Sequence, residues 1–195
     1  KSAMKKTLTF KIQLCLFAFL AFSVLVQGQS YYPLESGKTL YYAYGEDFAT
    51  KSSDLAKIEI AKKQKVLGGI KYYEVSTFLG NEKDGEFQVI STFYLRENDK
   101  NAVVGRPDSE TEETTMLPEP PYNKGLNWEN SQGKMEILQT EASIETPAGT
   151  FDNCLLVKTQ MNNIITLGYF QEGVGIVASE MLVNGEKKLF QYLVE

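Results

Sequence analysis

Closely spaced turn signatures run through this 195-residue chain and leave room for little except short paired strands. Gly68-Gly69 separates residues 55–67 from 70–79, and Asp84-Gly85 separates that run from 86–96. Asn162-Asn163 divides 150–161 from 164–170, and Asn184-Gly185 divides 174–183 from 186–194. Asn-Gly, Asp-Gly and Gly-Gly accept the positive φ that a two-residue hairpin turn requires. Thr146-Pro147-Ala148-Gly149 fits a type I turn, with proline presetting φ at the second position and glycine at the fourth.

Between the turns, residue character alternates. In 86–96, Phe87, Val89, Phe93 and Leu95 fall on one face with Ser91, and Glu86, Gln88, Thr92 and Arg96 fall on the other. In 55–67, Ala56, Ile58, Ile60 and Val66 oppose Lys57, Glu59, Lys63 and Lys65. A period of two with one wet side marks antiparallel strands. The only helical expectation is a turn or two within 109–116. The C-terminal hairpin differs, being apolar on both sides: Val174, Ile176, Ala178 and Leu182 against Val177, Met181 and Val183, then Leu189 and Leu193 against Phe190, Tyr192 and Val194. Burial on two faces calls for two covers. One can be the opposing sheet; the second could be the proline-rich stretch described next, a partner subunit or an apolar ligand.

Residues 105–125 interrupt the strand pattern with Arg106-Pro107, Glu110, Glu112, Glu113 and Pro118-Glu119-Pro120-Pro121. Prolines lack the ladder N–H, so this stretch reads as an acidic, Pro-rich linker between halves 29–104 and 126–195 of a single β domain. Its acids lack the alternating spacing of a calcium loop, so no metal is expected there. The halves resemble each other: Pro33 through Leu40 parallels Pro121 through Trp128 at an offset of 88, as an ancient duplication would leave. The expected fold is all-β, about ten antiparallel strands in two meanders forming a sandwich or incomplete barrel.

The first 28 residues read as a signal peptide. Lys5, Lys6 and Lys11 precede the apolar run 12–26, and Val26-Gln27-Gly28 suits cleavage before Gln29. Lys1-Ser2-Ala3, ahead of Met4, are set aside as an upstream start or a scar. This mostly apolar run of 15 residues is short for a span of about 20, so no integral membrane span is expected after cleavage. Removing the leader takes away four lysines and no acids, lowering the net charge from −5 to −9. That sign argues against nucleic acid and against anionic membrane surfaces. Only Cys154 would remain of two cysteines, and no Asn-x-Ser/Thr sequon occurs, which favours a bacterial periplasm, outer membrane or medium over a eukaryotic secretory route.

Glu145-Thr146-Pro147-Ala148-Gly149-Thr150-Phe151, followed by Gly173-Val174-Gly175-Ile176-Val177, resembles a "TPAGTF … GVGhV" pattern of uncharacterised exported bacterial envelope β-proteins. Their "YxPLxxGxxhxY" opening has its counterpart in Tyr31 through Tyr42. The resemblance implies an exported antiparallel sheet or incomplete barrel, and no reaction.

Histidine is absent, which removes the commonest general base and zinc ligand. No nucleophile elbow or phosphate loop occurs, so no catalytic residue, metal or cofactor is assigned. Carboxylate-pair hydrolysis stays open through Glu74, Glu136, Glu141, Glu145, Asp152, Glu172 and Glu180. Glu180 stands out on an otherwise apolar strand, where an unpaired carboxylate would have a raised pKa and where a barrel rim or a lysine partner would explain it. Eleven tyrosines and the single tryptophan supply the other candidate surface. The ligand-binding candidates are Tyr42, Tyr44, Tyr73, Trp128, Tyr169, Glu180, Phe190 and Tyr192. The leading expectation is a non-catalytic binding or scaffolding protein of the bacterial envelope, holding an apolar or amphipathic ligand or an envelope protein partner. A carbohydrate-binding module or weak carboxylate-pair glycosidase is the alternative, and a purely structural envelope component the third.

Overall fold

The structure, a computed structural model, describes residues 30–49, 54–81 and 85–194; the leader lies outside them. Every regular element among these residues is a strand: β1 (Thr39–Tyr44), β2 (Asp54–Ile60), β3 (Lys65–Leu67), β4 (Ile70–Asn81), β5 (Glu86–Glu97), β6 (Val103–Arg106), β7 (Thr114–Leu117), β8 (Asn127–Asn130), β9 (Gly133–Thr146), β10 (Gly149–Met161), β11 (Ile164–Gln171), β12 (Gly175–Val183) and β13 (Glu186–Leu193). Thirteen strands replace the ten expected. The additional ones are three- and four-residue pieces in polar or proline-rich sequence, too short for alternation to register. Residues 55–67 divide into β2 and β3, so Val66 does not join Ala56, Ile58 and Ile60 but stands 60% exposed on a flap.

All strands belong to one antiparallel sheet in the order β7-β6-β5-β4-β2-β1-β13-β12-β11-β10-β9-β8, with β3 paired to β4 alone. It comprises two meanders, β1-β2-β4-β5-β6-β7 and β8 through β13. The first strand of one meets the last strand of the other at β1–β13, where Tyr42 faces Leu193. At the other junction, Asn130 on β8 donates Nδ2–H to the Thr115 carbonyl on β7 at 2.8 Å. The sheet thus curls into a nearly closed barrel. The stretch expected as a linker holds the end of β6 and all of β7, and 114–117 is extended where a helical turn was expected.

The two meanders begin alike. Gly37 N–H donates to Ile60 O (3.0 Å), Ile60 N–H to Lys38 O (2.9 Å) and Lys38 N–H to Glu35 O (3.1 Å). In the second meander Gly125 donates to Ile137 O (2.8 Å), Ile137 to Leu126 O (2.9 Å) and Leu126 to Asn123 O (3.1 Å). Gly37 and Gly125 have φ of 80° and 86°, which a side chain would resist. The offset of 88 between Pro33 and Pro121 therefore marks the same local structure built twice.

Turn chemistry sets the hairpins. Asn184 and Gly185 have φ of 53° and 85° between the paired Val183 and Glu186. Bulges then re-aim the strands. Opposite β4, Ile90 is the extra residue of β5: Thr77 faces Ser91 but Phe78 faces Val89. Phe93 and Leu95 consequently point inward, while Phe87 and Val89 point out with Phe78, correcting the single face expected for all four. Met116, Val177 and Phe190 are extra residues at equivalent irregularities.

The interior packs at the end bearing residues 31–34, where Tyr32 and Met116 join Ile60, Val75 and Leu95 to Val103, Leu117, Ile137 and Leu155. A separate cluster on the outer face unites Ala142, Ile144, Cys154 and Leu156 of β9–β10 with Tyr169, Val177 and Ala178, flanked by Leu182, Leu189 and Tyr192. The second cover of the C-terminal hairpin is thus the chain itself, supplied by the β9–β10 hairpin and not by residues 105–125.

Candidate functional site

Inward-facing residues of β2, β5 and β7 through β13 leave a cavity of about 620 Å³ inside the barrel. Tyr32, Phe93, Leu117, Phe170 and Ile176 line it toward the packed end. Ser131, Gln132, Met161, Ile164 and Thr166 line it toward the hairpin tips, where Met161 and Ile164 are about half exposed at 47% and 49%. Register explains the sharing. Thr166 faces Thr159 across β10–β11, and Ser179 faces Gly168 on one side and Gln191 on the other, so all five present the same face to the lumen. Gly168 keeps that wall thin: a Cβ there would lie 3.0 Å from the Phe170 ring.

Two lumen-lining side chains carry buried polar atoms without a hydrogen-bond partner, Trp128 Nε1 and Ser179 Oγ. Leaving such a group unpaired costs about 1–3 kcal/mol, so interiors normally satisfy it. Ser179 is only 7% exposed. No lysine, arginine, aspartate or glutamate lines the cavity among the described residues.

The candidate residues separate into three groups. Trp128 and Phe190 line the lumen. Tyr44 stacks edge-on to Phe190, centroids 5.7 Å apart, and Tyr42 is fully buried with its hydroxyl donated to Ile176 O at 2.9 Å. Tyr73 instead borders an open groove of about 1050 Å³ with Tyr31, Arg96 and Tyr122. Tyr169, Glu180 and Tyr192 lie on the opposite face of the sheet, where Tyr169 Oη donates to Glu180 Oε2 at 2.7 Å and Lys187 Nζ stands 3.6 Å from the same oxygen. Burial, and then that carboxylate, push the Tyr169 hydroxyl well above the ordinary tyrosine range. Glu180 thus has the lysine partner that explains it. Sequence reasoning passed over Phe93, Met116, Phe170 and Ser179, whose inward aim follows from closure and from the bulge at Met116.

A charged cluster on the outer face ties down the acidic stretch. Arg96 donates from Nε and Nη2 to the Glu113 carboxylate at 2.6 and 2.7 Å, and Tyr72 Oη donates to the same group at 2.5 Å. Arg106 donates to Tyr72 Oη at 2.5 Å and lies 4.8 Å from its ring centre. Hydrogen bonding from Arg96 holds the Glu113 carboxyl below its ordinary value. Among the described residues no three His, Cys, Asp or Glu side chains are grouped to hold a metal ion, and no helix is long and apolar enough to cross a membrane.

No family model matches the chain, and no curated protein matches it significantly. Two solved structures are similar in outline. One, from Bacteroides fragilis, is described as an exported protein with a YmcC-like fold, at 12% identity and a TM-score of 0.48, covering 86% of this chain and 98% of the other. The second, from Parabacteroides distasonis, is described as a lipoprotein, at 14% identity and a TM-score of 0.42, covering 87% and 99%.

Proposed function

We propose that this is an exported, non-catalytic binding protein that holds a small apolar or amphipathic molecule inside its barrel. One observation carries the reading: a mostly apolar lumen of about 620 Å³ lined by no charged side chain among the described residues. Protein interiors are ordinarily packed to crystal density, and cavities of about 300–1,000 Å³ are the usual size for small-molecule sites. Affinity would come from burying apolar surface at about 25 cal/mol per Å². Export rests on the basic and apolar leader, and a bacterial envelope on the cysteine usage and the motif resemblance. Against glycosidase chemistry, Glu136 pairs with Lys158, Glu180 with Tyr169 and Lys187, and Asp152 accepts from Ser143.

The test uses the exported protein and the neutral fluorophore N-phenyl-1-naphthylamine. Saturable fluorescence enhancement is expected, together with a co-purifying small mass in native mass spectrometry of protein from its own host. Thr166→Trp, which fills the mouth, should abolish enhancement while leaving the β-type circular dichroism intact. Wild-type protein that neither enhances the dye nor carries a bound mass would overturn the reading.

A further inference from the structure

Resting on that reading of the lumen, we infer that its ligand is an uncharged amphiphile: an apolar chain with one neutral hydrogen-bonding head such as an alcohol, ester or amide. The walls supply the argument. Every polar side chain lining the cavity among the described residues is neutral, including Trp128, Gln132, Thr159, Thr166, Ser179 and Gln191. A carboxylate or ammonium group placed there would lose water and find no opposite charge, which is strongly disfavoured. A hydroxyl or carbonyl, by contrast, needs no counter-charge and can pair with the neutral hydroxyl and amide side chains of the wall. Trp128 Nε1–H can only donate, and Ser179 Oγ can donate or accept, and neither is otherwise engaged. A pure hydrocarbon would leave both unpaired.

The lining is also graded along the barrel. Tyr32, Phe93, Leu117, Phe170 and Ile176 surround the closed end, where Tyr32 belongs to the packed clusters. Hydroxyl and amide side chains gather from the middle toward the hairpin tips, on Ser179 and Gln191, then Thr159 and Thr166, then Ser131 and Gln132. The chain therefore enters first and lies deep, with the neutral head against the middle of the wall, away from water.

The experiment measures displacement of N-phenyl-1-naphthylamine from the exported protein at pH 8 by dodecan-1-ol, kept below its solubility limit, and by dodecanoate and dodecyltrimethylammonium, kept below their critical micelle concentrations. The alcohol should displace the dye at least about tenfold more effectively than either ion, because only the ions must bury an unpaired charge. Retained β-type circular dichroism throughout each titration separates displacement of the dye from loss of the fold. Equal or tighter binding of dodecanoate or the ammonium would overturn the neutral-head assignment while leaving the lumen a ligand site. Failure of the dye itself to bind would remove both.

Discussion

Tyr42 on β1 donates its hydroxyl to the main-chain carbonyl of Ile176 on β12 at 2.9 Å, reaching past β13, which lies between those strands in the sheet. The side chain is fully buried, and the bond connects the first strand of one meander to the penultimate strand of the other. It reinforces the paired β1–β13 junction from within. The β7–β8 junction is bridged instead by Asn130 and Thr115.

Tyr42→Phe should destabilise the fold by about 1–2 kcal/mol, the usual cost of deleting one buried hydrogen bond and leaving its acceptor short of a donor. Tyr42→Ala should cost about 3–5 kcal/mol through the cavity it leaves. Urea unfolding would read both as lower midpoints at unchanged slope; an unshifted midpoint for Tyr42→Phe would show that Ile176 O does not depend on the hydroxyl.

Asn130→Ala should loosen one junction and spare the other. Amide exchange is expected to accelerate in 114–117 and 127–130, with β1 and β13 unchanged. Global stability should fall by about 1–2 kcal/mol, since the bond to Thr115 O is lost together with those to Met135 Sδ and from Gln132 N–H. Uniform acceleration through both junctions would instead mean that the barrel opens as one unit.

Stability should decline in alkali. Burial raises the hydroxyl of Tyr122 to about 12, and raises Tyr32 and Tyr42 as well. An unfolded tyrosine ionises near pH 10, so above that value the unfolded state releases protons that the folded state retains. The contribution is therefore complete below about pH 10 and is lost as pH rises toward 12. Ultraviolet tyrosinate titration should show an exposed phase near pH 10 and a later phase coincident with unfolding. A single phase near pH 10 would contradict the burial.

Glu113→Gln should cost about 1–3 kcal/mol near neutral pH, because a charge-assisted pair with Arg96 in a partly buried setting is lost. The sign with pH is opposite to that of the tyrosines. The folded carboxyl sits below its ordinary value, so its contribution is present above about pH 4.5 and fades as acid protonates it. Denaturation curves of wild type and variant should converge as the pH falls well below 4.5. A gap that persists there would assign the loss to packing.

Cys154 should resist thiol reagents while the protein is folded. Burial, with Asp152 nearby, raises its thiol to about 11, and the side chain is inaccessible. Ellman's reagent at pH 8 should react in step with urea unfolding, giving one thiol per chain prepared without residues 1–28; prompt reaction without denaturant would rule out its place in the outer cluster.

The hairpins and strand character were legible because their causes are local. Gly68-Gly69 and Asn184-Gly185 take the positive φ that their side chains allow, wherever the rest of the chain goes. The repeated Pro33 and Pro121 openings also announced themselves, and both cap their meanders with the same three hydrogen bonds. Trp128 and Phe190 could be nominated as large aromatics in strands. Their company could not, because Tyr169 and Tyr192 fit the same description and lie on the outer face.

Residue order alone dictated short antiparallel strands, their turns and the like-built openings at Pro33 and Pro121, all consequences of backbone conformational preference over a few neighbouring positions. Which face looks inward was settled only on assembly. One inserted residue, such as Ile90 or Phe190, shifts every later side chain relative to the partner strand, and a bulge exists only in relation to that partner. The lumen belongs to the same level: its walls come from β2, β5 and β7 through β13 and become one cavity only because the two meanders meet at both junctions.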